Sequence, residues 1–235
     1  MTKTAAKPTA AALATFKPKN ELANIPADNR GAERVTNEDL ILPKILLMQG
    51  LSKMVQEKGK VAGQFVNSLT EATLENTEFV PVVYTKFFNV VEWQMVGGKM
   101  KQNFLFRTFD PSDDRLVGKR LFNSAEGKAE VETVMNFLSL INGQPCIIPF
   151  SKTSTRAGQK LLTFQKLSKQ ALFANKYKLV AVKQTNDQGT FYVKDVQLVG
   201  PIAGDELAEA EAAYSSFAPK AEVVQAAAEV EEVPF

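Results

Sequence analysis

A mainly β fold of the α+β kind is predicted by three features of this sequence. Residues 79–94 form a long run of β-branched and aromatic side chains without a helical period, the pattern of an extended strand. Gly97-Gly98 and Asn142-Gly143 each separate two such runs, which marks hairpins. Helices do not alternate with strands as in a βαβ array, so hairpins around one inserted helix point to a small antiparallel barrel or sandwich.

In chain order, residues 1–34 are rich in Ala, Lys, Pro and Thr and poor in large apolar side chains, the composition of a disordered basic arm. Thr36-Asn37-Glu38-Asp39 offers a cap, but Pro43 interrupts any long helix; an extended piece and then a short helix or strand ending at Gly50 are expected. A polar helix over 52–57 stops at Gly59, a short strand covers 63–69, and residues 71–77 turn into the long strand. That strand returns after Gly97-Gly98 through residues 101–109. Side-chain alternation places Tyr84, Lys86, Phe88 and Val90 on one face and Phe79, Val83, Phe87, Val91 and Trp93 on the other.

Asp110-Pro111-Ser112-Asp113-Asp114 reads as a solvated loop, because the turn glycine and terminal Glu of a calcium loop are missing. A helical patch is expected around 128–132, then strands over 133–141 and 146–151 joined by Asn142-Gly143. Residues 152–167 fit an amphipathic helix entered through a Ser/Thr cap, with Leu161, Phe164 and Leu167 on the apolar side and Lys160, Lys166 and Lys169 nearby. The last hairpin pairs 177–183 with 190–199. A short acidic helix follows over 205–214, and beyond Pro219 the Ala, Glu and Val composition predicts disorder up to the chain's tip.

Several function classes fall away on composition. The sequence has no histidine and one cysteine, Cys146; the first removes the commonest general base and metal ligand, the second rules out an internal disulfide. No metal or cofactor is expected. Residues 155–160 lack the spacing of a phosphate-binding loop and no nucleophile elbow appears, so the chain is read as a non-enzyme. No stretch approaches the ~18 apolar residues of a membrane span, which predicts a soluble, cytoplasmic protein. The net charge of +2 conceals a split: residues 205–235 carry eight acidic side chains against Lys220, a balance of −7, so residues 1–204 carry +9. A basic body with an acidic tail follows.

In that body, cations are interleaved with rings: Tyr84, Lys86 and Phe88; Trp93, Lys99 and Lys101; Arg107 between Phe106 and Phe109; Lys176, Tyr177 and Lys178; Tyr192 and Lys194. Unpaired nucleic acid needs positive charge to follow its phosphates and flat rings to stack its bases, each stack worth ~1–3 kcal/mol. Tyr84, Trp93, Tyr177 and Tyr192 suit this best, since each carries a polar group that tolerates a wet surface. Lys152, Arg156 and Lys160, at the start of the inserted helix, are candidates for phosphate contact.

The chain ends in Glu229-Val230-Glu231-Glu232-Val233-Pro234-Phe235. This resembles the C-terminal tip of bacterial single-stranded DNA-binding proteins, an acidic run closing in aliphatic-Pro-Phe, and the acidic, Phe-ended tails of phage counterparts. Residues 37–44, residues 63–69 and the long aromatic strand are similar to small phage proteins of replication and recombination. The resemblance implies an OB-like antiparallel barrel with an inserted helix. It also implies that Glu231, Glu232, Val233, Pro234 and Phe235 dock on partner enzymes, the Phe filling an apolar pocket while its carboxylate meets a cation. Here an Ala- and Glu-rich linker replaces the bacterial Gly-rich one, and the body is longer.

These readings divide the chain into a basic arm (1–34), a single-stranded DNA-binding β domain (35–204) and an acidic docking tail (205–235). The expected function is coating of single-stranded DNA without sequence preference in phage replication or recombination, in the host cytoplasm, with replication or recombination enzymes as partners and a homo-oligomer as an option. The alternatives are a virion structural or assembly protein and a strand-annealing recombinase.

Overall fold

The computed structural model describes residues 41–97, 99–116, 130–187 and 189–227; the expected basic arm and the docking tip lie outside the described residues. The described residues form one compact unit. It is mainly β and antiparallel, as the sequence predicts.

The long strand is the axis of a six-stranded sheet. We label it β3 (Glu78–Val96), after β1 (Ile45–Leu47), a short helix α1 (Lys53–Lys58) and β2 (Phe65–Asn67). It is followed by β4 (Lys99–Thr108), β5 (Glu130–Ile141), β6 (Gln144–Ser151), α2 (Thr155–Ser168), β7 (Asn175–Asn186), β8 (Gly189–Pro201) and α3 (Asp205–Ala227). β5 pairs along one edge of β3, while the other edge takes β7 at Glu78 and Phe79 and β4 from Phe88 onward. The strand order is β6-β5-β3-β7-β8, and β1 and β2 form a separate two-stranded flap. Among the described residues no backbone ladder joins the outer strands β6 and β8, so a closed barrel is not formed by hydrogen-bonded strands.

Turn chemistry explains the hairpins. Asn142 and Gly143 both have positive φ, 52° and 74°, as a two-residue loop matched to strand twist requires. Glu130 to Glu132 are strand instead of the helical patch expected there, because Glu130 and Val131 pair with Val91 and Val90 of β3. Pairing with β3 overrides their local preference.

A bulge corrects the face assignment of the long strand. Pro81 faces Ser139 but Val83 faces Leu138, which leaves Val82 as the extra residue and shifts the alternation by one. Phe79 and Tyr84 therefore contact the same interior core, with Phe137, Phe150, Ile148, Tyr177, Leu179 and Val196. Val80, Val82 and Val83 pack on the reverse side with Leu140.

Helix α2 covers the interior core through Ala157, Gly158, Leu161 and Phe164. Gly158 sits so close to β5 that a Cβ would stand 3.1 Å from the Met135 sulfur. Leu167, expected on the apolar side, is 75% exposed, since the helix turns it away from the sheet. The expected cap is absent: Ser154 makes no side-chain cap hydrogen bond, because its hydroxyl accepts the backbone N–H of Lys194 on β8.

The acidic helix α3 is longer than the expected 205–214 and continues to Ala227. Leu207, Ala210 and Ala213, spaced three apart, pack on Val80, Val82, Leu140 and Ile202. The start of the predicted tail is thus part of the folded body.

Candidate nucleic-acid interface

The β3–β4 ribbon carries an exposed ring, Phe104, beside the half-buried Trp93 and Phe106. Its register sets Arg107 opposite Asn89, Phe104 opposite Val91 and Gln102 opposite Trp93, and directly opposed residues share a sheet face. Trp93, Phe104 and Arg107 therefore lie on one face. Phe104 is 49% exposed, and Trp93 is half-buried with its indole N–H donating to Glu130 Oε2 at 3.0 Å. That bond lies in the ring plane and does not use the π face. Arg107 is half-buried: its guanidinium carbon stands 4.2 Å from the Phe87 ring centroid and its Nε donates to Asn89 Oδ1. Burial lowers its pKa, but an arginine remains a cation at ordinary pH.

Lys101 is exposed, and Lys99 opens β4 with a side chain outside the description. Lys86 is exposed with its ammonium 4.9 Å from the Phe88 ring centroid. Lys152, Arg156 and Lys178 are exposed as well. Lys152 adopts a left-handed conformation, φ 53°, at the turn into α2.

Other candidates serve the fold. Phe88 is buried with Val90 and Val131, and Tyr84 is half-buried against Phe137, where burial raises its phenol pKa. Tyr177 is fully buried beside Phe79 and Phe164. Its position on β7, which the sequence marked for stacking, faces the interior core, so neither it nor Phe88 can meet a base. Lys160 is paired with Asp195 at 3.1 Å and Lys176 with Glu206 at 2.8 Å. The Tyr192 ring lies against Gly63, where a Cβ would come within 2.7 Å of it.

Lys194 is the plainest correction, being buried instead of facing solvent. Its Nζ donates to the carbonyl oxygens of Pro149 on β6, at 2.7 Å, and Ile45 on β1, at 3.0 Å. Loss of hydration pushes its pKa down to about 7. A neutral amine has two N–H donors, and these two carbonyls take both. A lysine between Val193 and Asp195 reads as surface in sequence; only its place on the edge strand reveals the role. Phe104 is the opposite case, a ring missed among the candidates because strand phenylalanines are usually core.

In the acidic loop, Asp110 accepts the backbone N–H of Ser112. Hydrogen bonds from the Arg115 side chain and backbone hold the Asp113 carboxyl well below the usual range. Among the described residues no group of three or more Cys, Asp or Glu is placed to hold a metal ion, and no helix is long and apolar enough to cross a membrane.

The fold and this surface define an antiparallel β protein with a ring-bearing two-stranded ribbon. The chain belongs to the family described as Pam3 phage gp34-like protein, whose family model matches residues 12–223. No curated protein and no solved structure matches it.

Proposed function

We propose that the protein binds single-stranded DNA without sequence preference during phage replication or recombination, and that it is not an enzyme. The observation that supports this most is the strand register that places Trp93, Phe104 and Arg107 on one face of the ribbon. Rings there stack unpaired bases while Arg107 on the same face neutralises a phosphate; Lys101, opposite Gln94, adds positive charge on the ribbon's other face. Lys152 and Arg156 extend the contact along the backbone of the strand. The membership of a phage protein family agrees with the setting. The acidic tip, Glu231 to Phe235, recruits replication or recombination enzymes by its terminal Phe and carboxylate, in the host cytoplasm. The OB-like barrel is the finer reading of the fold, with the β1–β2 flap filling the gap that the ladder leaves open.

Gel-shift titrations of oligo(dT) and of duplex of equal length test this. Single strands should bind more tightly, and Lys152→Ala with Arg156→Ala should flatten the dependence of log K on log salt by ~0.7 for each single-strand phosphate that is no longer neutralised. Equal affinity for both forms at low salt would refute stacking.

A second reading, a virion assembly protein, is favoured by the exposed apolar side chains Met95, Val96 and Leu105 on the same ribbon as Phe104. In that case the Phe104→Ala variant changes the oligomeric state and leaves DNA affinity at background. An annealing assay with complementary oligonucleotides distinguishes a recombinase.

A further inference from the structure

The gap between β6 and β8 is held by side chains. Gln49, just beyond β1, donates from Nε2 to the Tyr192 carbonyl at 2.8 Å and accepts the Tyr192 N–H at Oε1 at 2.9 Å. Its amide thus takes the place of a paired strand. Lys194 reaches Ile45 and Pro149, Ser154 receives the Lys194 N–H, and Lys160 meets Asp195. The residues just before β1 touch β6 through the bridge of Lys44 to Ile147 and the bond from Ile147 N–H to the Pro43 carbonyl. Of these contacts only Lys194 joins all three of β8, β1 and β6.

We propose that Lys194 is a proton-linked clasp: the β1–β2 flap lifts from β6 and β8 when the buried amine takes up a proton. In the closed form the two carbonyls accept the amine's two N–H bonds, and the Phe150 ring centroid is 5.9 Å from Nζ. The titratable and charged groups on the elements packed around it are Lys44 before β1, Cys146 on β6, Lys152 in the turn before α2, Arg156, Lys160 and Lys166 on α2, and Tyr192 and Asp195 on β8 itself. The Asp195 carboxylate is taken by Lys160 and by the Val196 N–H, and the two carbonyls and the ring take the amine. A third proton therefore gains no anionic partner in the closed form, whereas water solvates the ammonium once the flap has lifted.

The folded amine titrates near 7 and a free lysine near 10.5. Between those values the open form holds one more proton than the closed form, so opening grows about tenfold for each pH unit lowered and levels off below 7. Cys146 is a built-in reporter: it is buried on β6, and burial pushes its thiol up to about 12, so it reacts only when exposed.

The full chain is labelled with iodoacetamide at pH 7, 8 and 9, each rate divided by that of the urea-unfolded chain at the same pH. The clasp predicts a normalised rate rising about tenfold per unit as pH falls, a weak response to low urea, and a pH-independent rate in Lys194→Met. A flat wild-type profile, the full urea slope of global unfolding, or an unchanged slope in the variant would overturn it. If the variant does not fold, NMR titration of the wild-type Lys194 ζ-nitrogen decides. A midpoint near 7 shared with the Ile147 and Tyr192 amides supports the clasp, and an ordinary lysine midpoint overturns it.

Discussion

Lys194 Nζ lies 2.7 Å from the carbonyl oxygen of Pro149, so one side chain ties together the two outer strands of a sheet whose ladder does not close. Because the folded amine titrates near 7 and the unfolded one near 10.5, the unfolded chain binds more protons between those values. Stability therefore rises with pH from about 7 upward, and this group contributes no slope below 7. Urea denaturation of the wild type at pH 7 and 9 should show the higher midpoint at pH 9. Lys194→Met should remove the difference.

Gly63 combines φ +90° with a Tyr192 ring that would stand 2.7 Å from a Cβ. Gly63→Ala should cost roughly 1–3 kcal/mol through backbone strain and displacement of the ring. Gly50→Ala, where nothing lies within 4 Å, should stay within about 0.5 kcal/mol. Thermal and urea unfolding of the pair check this.

The Tyr177 hydroxyl is buried and finds no hydrogen-bond partner among the described residues. Removing an unsatisfied buried hydroxyl relieves a desolvation cost of about 1–3 kcal/mol. Tyr177→Phe should thus unfold at the same or higher urea concentration, and its affinity for single strands should match the wild type's.

Leu161, on the inner face of α2, is fully buried. Leu161→Ala should destabilise by roughly 2–5 kcal/mol, the range for a large-to-small core change. Phe104→Ala, at a half-exposed ring, should leave the unfolding midpoint almost unchanged while weakening DNA binding by ~1–3 kcal/mol, the worth of one stacked base. The two variants separate core from interface.

Much of the fold is legible in the residues themselves. The long strand, the Gly97 and Asn142-Gly143 turns, the inserted helix and the final hairpin all follow from local pattern and turn chemistry. What local pattern does not reveal is long-range. The bulge at Val82 reverses which side chains share a face. Pairing with β3 makes strand of Glu130 to Glu132, and Ser154 gives its hydroxyl to β8 instead of capping α2. The candidate surface suffers from the same limit. Interleaved rings and cations are visible in sequence, but Tyr177 and Lys194 are drawn inward by partners far along the chain, whereas Phe104 is left half-exposed on the β3–β4 ribbon.

Trp93 is the chain's one tryptophan and lies on the ribbon face assigned to stacking, so its fluorescence reads the central claim directly. Titration with oligo(dT) at low and high salt should quench the emission at low salt with an affinity that falls steeply as salt rises, and duplex should quench far less. Unchanged emission with oligo(dT) at low salt, or equal quenching by duplex, would contradict the account.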